Sequence, residues 1–397
     1  MKILITSIVD LKKTPHNRLH QFVKHLSQNH EVTVLSINDR WKAGQTDFTL
    51  YNHGFEDIFH NVSIEYFSQC EISPVYQELA SIATLGDILR RIHYQQFDVH
   101  LNYSSLISGY LVSRKMKSVG IDTIYDIADD LPAMVRSSPQ IPALLRVAGE
   151  FLGKIAFRKN VAIARRITII TEQLRNSFGI PSSKTVAIPN GVDMELFNNY
   201  PSTELKRKLG LNQAFVVGYV GVLREWLNLE PIFSVVRSFE SDEPNIKVLI
   251  VGEEGALNEN KTLAQRYGIS HRVIFAGTVA YAQVPGYISC MDVCLIPFKS
   301  NAVSQNALPL KLFEYMACEK PVVSTRLNGV MEAVQDRVLY ASNSEDLKQK
   351  IMELYKNEKL RTTMGTEGRK FVKQNYSWRR ICLKLEEVLS EVAKDKR

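Results

Sequence analysis

Short apolar runs alternate with helical patterns along the whole chain, and that alternation limits the folds open to it. Residues 2–9 read as a buried strand. A helix follows around 18–29, with apolar Leu19, Phe22, Val23 and Leu26 on one face, and 31–37 is a second strand. Strand, helix and strand inside one such stretch form a βαβ unit, which favours a parallel sheet covered on both faces. Further strands are expected at 99–102, 123–127, 166–170 and 185–188. The pattern then restarts with a strand at 215–219, a helix at 229–239 and a strand at 246–251 that ends in Gly252. Strands at 273–276, 293–296 and 321–324 follow, with helices between them. Two runs of this kind predict an α/β protein with two doubly wound parallel-sheet domains. The joint falls near Pro189-Asn190-Gly191-Val192-Asp193, where turn residues concentrate. A last helix, 378–393, has no strand after it, so it is expected to pack back across a domain already formed.

Several chemistries are absent. Thr6-Ser7-Ile8-Val9-Asp10 follows the first strand without a glycine, so the dinucleotide fingerprint is missing. The chain has no P-loop, no H-E-x-x-H, no paired Cys/His spacing and no G-x-S-x-G elbow. No metal site and no nucleic-acid-reading module is expected. The five cysteines include no C-x-x-C pair, and they read as buried small hydrophobes in a reducing compartment. The start of the chain is too short an apolar run for a signal peptide, and no stretch is long enough to span a bilayer. A cytoplasmic protein is expected. Eight of the nine histidines precede residue 101, which makes the first domain the better place for a proton-handling group.

One segment carries the most chemistry: Asn306-Ala-Leu-Pro309-Leu-Lys311-Leu-Phe-Glu314-Tyr-Met-Ala-Cys-Glu-Lys-Pro321-Val-Val. A helix opening after Pro309 puts Lys311 and Glu314 on one face near its N-terminus. Free N–H groups, a partial positive charge and the Lys311 ammonium suit a phosphate there. The Glu314 carboxylate can accept hydrogen bonds from a vicinal diol such as a ribose. Spacing alone equally allows an amphipathic helix with one surface ion pair.

The segment resembles the C-terminal signature of the retaining GT-B glycosyltransferases of family four. Other pieces fall in the same order: Ile188-Pro-Asn-Gly-Val-Asp193 with Phe197, Val217-Gly-Tyr-Val-Gly221, and Val251-Gly252-Glu-Glu-Gly255. Val273-Ile-Phe-Ala-Gly277-Thr278-Val, Tyr287…Met-Asp292-Val-Cys-Leu-Ile-Pro297 and Tyr376-Ser-Trp378 complete the series. The resemblance is strong from about residue 165 onward. Two departures stand out. The first of the family's two acidic residues is here Asn306, and its usual Arg and Lys fall on Val222 and Asn228. In their place stands Gly221-Val-Leu-Arg224-Glu225-Trp226, which is similar to a subset of bacterial cell-surface polysaccharide enzymes.

The resemblance implies a GT-B fold, two Rossmann-like domains facing across a cleft, and a sugar moved with retention from a UDP- or GDP-linked donor. An acceptor domain at 1–190, a donor domain at 191–375 and a C-terminal helix at 376–397 packing toward the first domain follow from it. Donor contacts are expected from Gly221, Arg224, Glu225, Gly252, Thr278, Asn306, Pro309, Leu310, Lys311 and Glu314. Lys311 and Arg224 would share the diphosphate, since each charge-assisted contact is worth ~1.5–3 kcal/mol. Arg224 also reads as a plain surface residue. No further cofactor is implied. A nucleotide-sugar epimerase of the same fold and a catalytically silent scaffold in a polysaccharide assembly complex are the alternatives.

The glycan, lipid-linked or polysaccharide acceptor is expected at the first domain. Thr123-Ile-Tyr-Asp126-Ile-Ala-Asp129-Asp130 is a strand running into an acidic loop, at the end of the sheet where ligands bind. Asp126 is expected to act in catalysis, and Asp129 and Asp130 to bind acceptor hydroxyls. A helix cap and solvated turn is the plainer reading. His16 and His20 follow the first strand and are expected at the acceptor as well. The chain's formal charge of +7 is concentrated: residues 133–166 hold Arg136, Arg146, Lys154, Arg158, Lys159, Arg165 and Arg166 against one acid, Glu150. Leu144, Leu145, Val147, Phe151 and Leu152 lie among them. Such a segment suits an anionic membrane surface on the cytoplasmic face, or a core-facing helix with a solvated side.

Overall fold

A computed structural model describes residues 1–39, 62–137, 141–239, 245–252 and 257–394. Positions 253–255 of the second glycine motif and 138–140 of the basic stretch lie outside the described residues. The chain divides into two compact units, Met1–Pro189 with Arg379–Arg397, and Asn190–Trp378.

The first unit is built on seven parallel strands: β1 Lys2–Ser7, β2 Glu31–Ser36, β3 Val62–Tyr66, β4 Val99–Tyr103, β5 Thr123–Ile127, β6 Arg166–Ile169 and β7 Thr185–Ala187. Their order across the sheet is β3-β2-β1-β4-β5-β6-β7. Every residue of β4 and β5 is buried, as helices on both faces of a parallel sheet require. Helices Pro74–Arg91, Ile107–Lys117 and Arg146–Ile163 lie side by side in this unit. A buried polar layer pins the last of them. Asn160 donates to the Leu106 carbonyl at 2.8 Å, and its own carbonyl accepts from Asn102 at 2.8 Å.

The second unit has six parallel strands: β8 Phe215–Val220, β9 Ile246–Val251, β10 Val273–Phe275, β11 Val293–Ile296, β12 Val322–Thr325 and β13 Leu339–Ala341. Their order is β10-β9-β8-β11-β12-β13. In both sheets the strand order reverses once, between β1 and β4 and between β8 and β11. At such a switch point the loops leaving the carboxyl ends of the strands diverge and leave a crevice for ligands.

The helix Trp378–Lys394 follows the second unit, and from Arg379 it belongs to the first. Ile381, Leu385, Val388, Leu389 and Val392 are buried along its inner face. Glu386 meets His30 at 2.8 Å and Glu391 meets Arg166 at 2.5 Å. Among the described residues no helix is long and apolar enough to cross a membrane.

Candidate functional site

In the second unit the sequence motifs gather at the switch point. β8 ends at Val220, and Gly221 turns the chain with φ +137°. That backbone conformation favours glycine, and a Cβ would also lie 2.7 Å from the Lys311 Nζ and push it aside. Gly252, at φ +124°, follows β9, and its Cβ would strike the Gly221 carbonyl. The two glycines thus let two loops close against each other.

Lys311 lies on the helix Leu310–Ala317, which starts after an extended Pro309 with no side-chain cap. Tyr315 ties this helix to β8, its hydroxyl accepting from the Val220 N–H at 2.8 Å. Lys311 Nζ donates to the Tyr219 hydroxyl at 3.2 Å and sits 4.8 Å from the centre of the Tyr219 ring. On the other side, the Phe298 ring is 5.4 Å away. The loop 221–229 is pinned to the end of β11: Lys299 N–H donates to the Trp226 carbonyl at 2.7 Å, and Asn228 N–H to the Pro297 carbonyl at 2.8 Å. Buried Leu223 and Leu227 anchor it from below. Arg224 and Glu225 are left exposed on top, and neither side chain has a polar partner among the described residues. Glu225 is engaged only through its carbonyl, which accepts from Lys299 Nζ at 2.8 Å.

Glu314, one turn on from Lys311, is 7% exposed and accepts a hydrogen bond from Tyr281 at 3.0 Å. Burial raises its carboxyl pKa to about 7, against the opposing pull of the Tyr281 hydrogen bond and the Lys311 charge. Tyr281 is itself held edge-on against Phe197, with 5.4 Å between the ring centres. Asn306 ends the short helix Ala302–Gln305. Asn190 donates to the Leu308 carbonyl at 2.6 Å and so steadies the approach to Pro309. Gly329 lets the next helix start against this turn, since a Cβ there would lie 2.9 Å from the Asn306 carbonyl. Thr278, half-buried, follows β10 just after Gly277, whose carbonyl accepts from the Gly252 N–H at 2.8 Å. Gly221, Lys311 and Glu314 are therefore brought together with Gly252, while Arg224 and Glu225 stand at the surface of the adjoining loop.

The first unit departs from expectation at several residues. Asp126 is fully buried on β5, and Arg18 donates to both of its carboxylate oxygens, at 3.2 and 2.9 Å. The Thr168 hydroxyl adds a third bond at 2.6 Å. Arg18 continues to the Pro189 and Ile188 carbonyls, each at 2.6 Å. With these partners the enclosed carboxylate fastens the helix Arg18–Leu26 to β5, β6 and the end of the unit, in place of the exposed position expected of a catalytic group. His20 is corrected too. It is buried, its Nε2 meets the Leu11 carbonyl at 2.9 Å, and its Nδ1 accepts from the Asn17 N–H at 3.3 Å, completing a capping box. His16 lies against it, with ring centres 4.9 Å apart and a 2.9 Å contact to Gln21. Burial, with His20 and Lys24 beside it, holds the His16 pKa well below the ordinary value, which leaves the ring neutral at pH 7. Asp130 accepts from the Ala133 N–H at 3.0 Å, the cap that opens helix Leu131–Ser137. Asp129 is exposed.

Sequence reasoning passed over Arg18, Tyr219 and Tyr281. Each acts through a partner remote in the chain, and only the Val217-Gly-Tyr-Val-Gly221 run drew attention to the neighbourhood of one of them.

Residues 201–371 match the family described as Glycosyl transferases group 1. An uncharacterised glycosyltransferase of Methanocaldococcus jannaschii is 24% identical over 308 residues, 73% of this chain and 81% of that protein. A GDP-mannose-dependent alpha-(1-6)-phosphatidylinositol monomannoside mannosyltransferase of Mycolicibacterium smegmatis is 23% identical over 250 residues, 60% of this chain and 65% of that one. Among solved structures, Anabaena HepE in complex with UDP superposes with a TM-score of 0.75 at 19% identity, covering 98% of this chain and 100% of that chain. The two Rossmann-like units are those of the GT-B fold. The family match over residues 201–371 lies wholly within the second unit, and together with relatives that cover most of the chain it makes the protein an enzyme of the glycosyltransferase class.

Proposed function

We propose that the protein transfers a sugar from a UDP- or GDP-linked donor to a glycan, lipid-linked or polysaccharide acceptor, with retention of configuration at the sugar. The observation that carries this reading is the Lys311 ammonium seated against Gly221 at the switch point, with Glu314 one turn further along the same helix. Lys311 and Arg224 take the diphosphate, and the uncapped start of helix Leu310–Ala317 adds N–H donors. Glu314 accepts from the ribose hydroxyls, and Asn306 holds the donor sugar. Gly252 and Thr278 shape the wall beside them.

The reaction is a front-face displacement. The acceptor hydroxyl oxygen bonds to the anomeric carbon as the bond from that carbon to the diphosphate oxygen breaks. The electron pair leaves with the diphosphate, and the hydroxyl proton passes to a departing phosphate oxygen. Lys311 and Arg224 stabilise the charge that grows there, which is preorganised electrostatic catalysis. Such fixed donors are worth ~2.7–4 kcal/mol each when removed. The first unit supplies the acceptor end through Asp129 and its neighbours, and its basic segment lies against an anionic membrane on the cytoplasmic face. The Mycolicibacterium relative acts on a phosphatidylinositol glycolipid and uses GDP-mannose, whereas HepE was solved with UDP, so both bases belong in the test.

Calorimetry with UDP- and GDP-sugars is expected to show binding that weakens at least tenfold in Lys311→Met and in Glu314→Ala. NMR of the product would then report the anomeric configuration. No binding of any nucleotide sugar would leave a silent scaffold, and release of free sugar without acceptor would point to an epimerase.

A further inference from the structure

Lysine is a long, flexible side chain, and an ammonium that must meet a diphosphate gains from being held in place beforehand. Lys311 is held on three sides. The Tyr219 ring lies 4.8 Å from Nζ, the Phe298 ring 5.4 Å, and Gly221 closes the third side with room for a hydrogen and nothing larger. Each ring face attracts the cation through its quadrupole. The Tyr219 hydroxyl then fixes direction. It donates to the Val222 carbonyl at 3.1 Å, which leaves its lone pairs for the Lys311 N–H at 3.2 Å. One phenol thus joins the turn after β8 to the cation on the following helix. Of the three N–H donors on Nζ, one is spent on Tyr219, and the other two meet no acceptor among the described residues. Two unused donors on a half-buried cation fit an anionic oxygen pair.

We infer that Tyr219 is a positioning residue for the leaving diphosphate: its hydroxyl locks the Gly221–Val222 turn to Lys311 and aims the remaining two N–H donors at the phosphate oxygens. This rests on the reading of Lys311 as the phosphate cation. Removing the hydroxyl while keeping the ring frees the Val222 carbonyl and lets the ammonium swing, so binding and chemistry suffer with the fold intact.

A double-mutant cycle tests it, with UDP and GDP as calorimetric probes of the full chain. Tyr219→Phe is expected to weaken binding about tenfold, the size of one well-placed hydrogen bond to a charged group. In the Lys311→Met background the same change is expected to have an effect below about twofold, because the group it positions is gone. An additive loss in the double variant would overturn the inference, since Tyr219 would then act on the fold or directly on the ligand. So would unchanged binding in Tyr219→Phe when Lys311→Met alone binds poorly. If Lys311→Met binds UDP and GDP as wild type does, the donor reading itself fails and takes the inference with it. Should Tyr219→Phe not fold, Phe298→Leu probes the opposite wall of the same cradle, with the same non-additivity expected and the same additive outcome against it.

Discussion

At Glu314, burial and ionisation oppose each other. The carboxyl titrates at about 7, above the ordinary carboxylate range, because the charged form loses its water. A native pKa above the unfolded one means the folded state holds the proton more tightly. The stability this group contributes is therefore full below its unfolded pKa and is lost as pH rises through about 7. Donor binding has the opposite sign, since ribose hydroxyls donate best to the ionised carboxylate. Affinity for a nucleotide sugar is expected to rise between pH 6 and 8 by several-fold, with the rise absent in Glu314→Gln, as calorimetry across that range would show. Asp126 poses a different residue-scale question. Removing Arg18 leaves a buried carboxylate without its cation, which costs ~3–5 kcal/mol. Arg18→Ala is expected to lower the denaturant midpoint sharply. A variant that melts like wild type while losing only kcat would restore Asp126 to catalysis. Neither pairing could be read from the chain, because Arg18 and Asp126 are 108 positions apart and Tyr281 and Glu314 are 33 apart. Local periodicity reports which face a residue lies on and says nothing of who meets it there.

Among the elements, the helix Arg146–Ile163 and the short turn Ala143–Leu145 before it are the most unusual. Glu150, Gly153, Ala156, Phe157 and Asn160 face the unit's interior, so the core-facing reading holds for one side. The other side exposes Leu144, Val147, Phe151 and Leu152 beside Lys154, Arg158 and Lys159. Glu150 is already paired with Arg136 at 2.9 Å and Lys154 at 2.7 Å, so it does not repel an anionic surface. Each basic residue near such a surface contributes ~1 kcal/mol. Flotation with phosphatidylglycerol vesicles is expected to carry the protein upward, and Phe151→Glu with Lys154→Glu to leave it at the bottom; wild-type protein that stays down would end the membrane reading. The inner strands of both sheets were legible as short runs rich in apolar residues, as expected of strands buried on two faces. β3 and β13 were not. Val62–Tyr66 carries Ser63 and Glu65, and Leu339–Ala341 is three residues long. Both are edge strands, which need no second apolar face. The donor motif was legible because glycines and a Lys-x-x-Glu spacing are local. The acceptor side was not, since Asp126, His20 and Asp130 carry residue types that serve buried pairs and caps as readily as substrates.

For the whole molecule, the last helix matters more than its length suggests. Fully burying Leu385, Leu389, Ile381 and Val392 is worth ~1.5–3 kcal/mol apiece. Together they rival the ~5–15 kcal/mol that stabilises a typical protein. A chain stopped at residue 377 is expected to lose the cooperative melting of the first unit and to become protease-sensitive before residue 189, while residues 190–377 still melt as a unit. Limited proteolysis with calorimetry distinguishes this from a helix that merely decorates the surface, whose loss would leave both transitions in place. The same helix sets the order in which the protein can be completed on the ribosome. Residues 1–189 emerge first, yet their final apolar partner follows the whole of the second unit. The second unit, continuous in sequence, can close while the first still waits with an uncovered hydrophobic face. The first part to be made is therefore the last to fold, and a chaperone that guards exposed apolar surface should stay bound to the nascent chain until that helix has emerged.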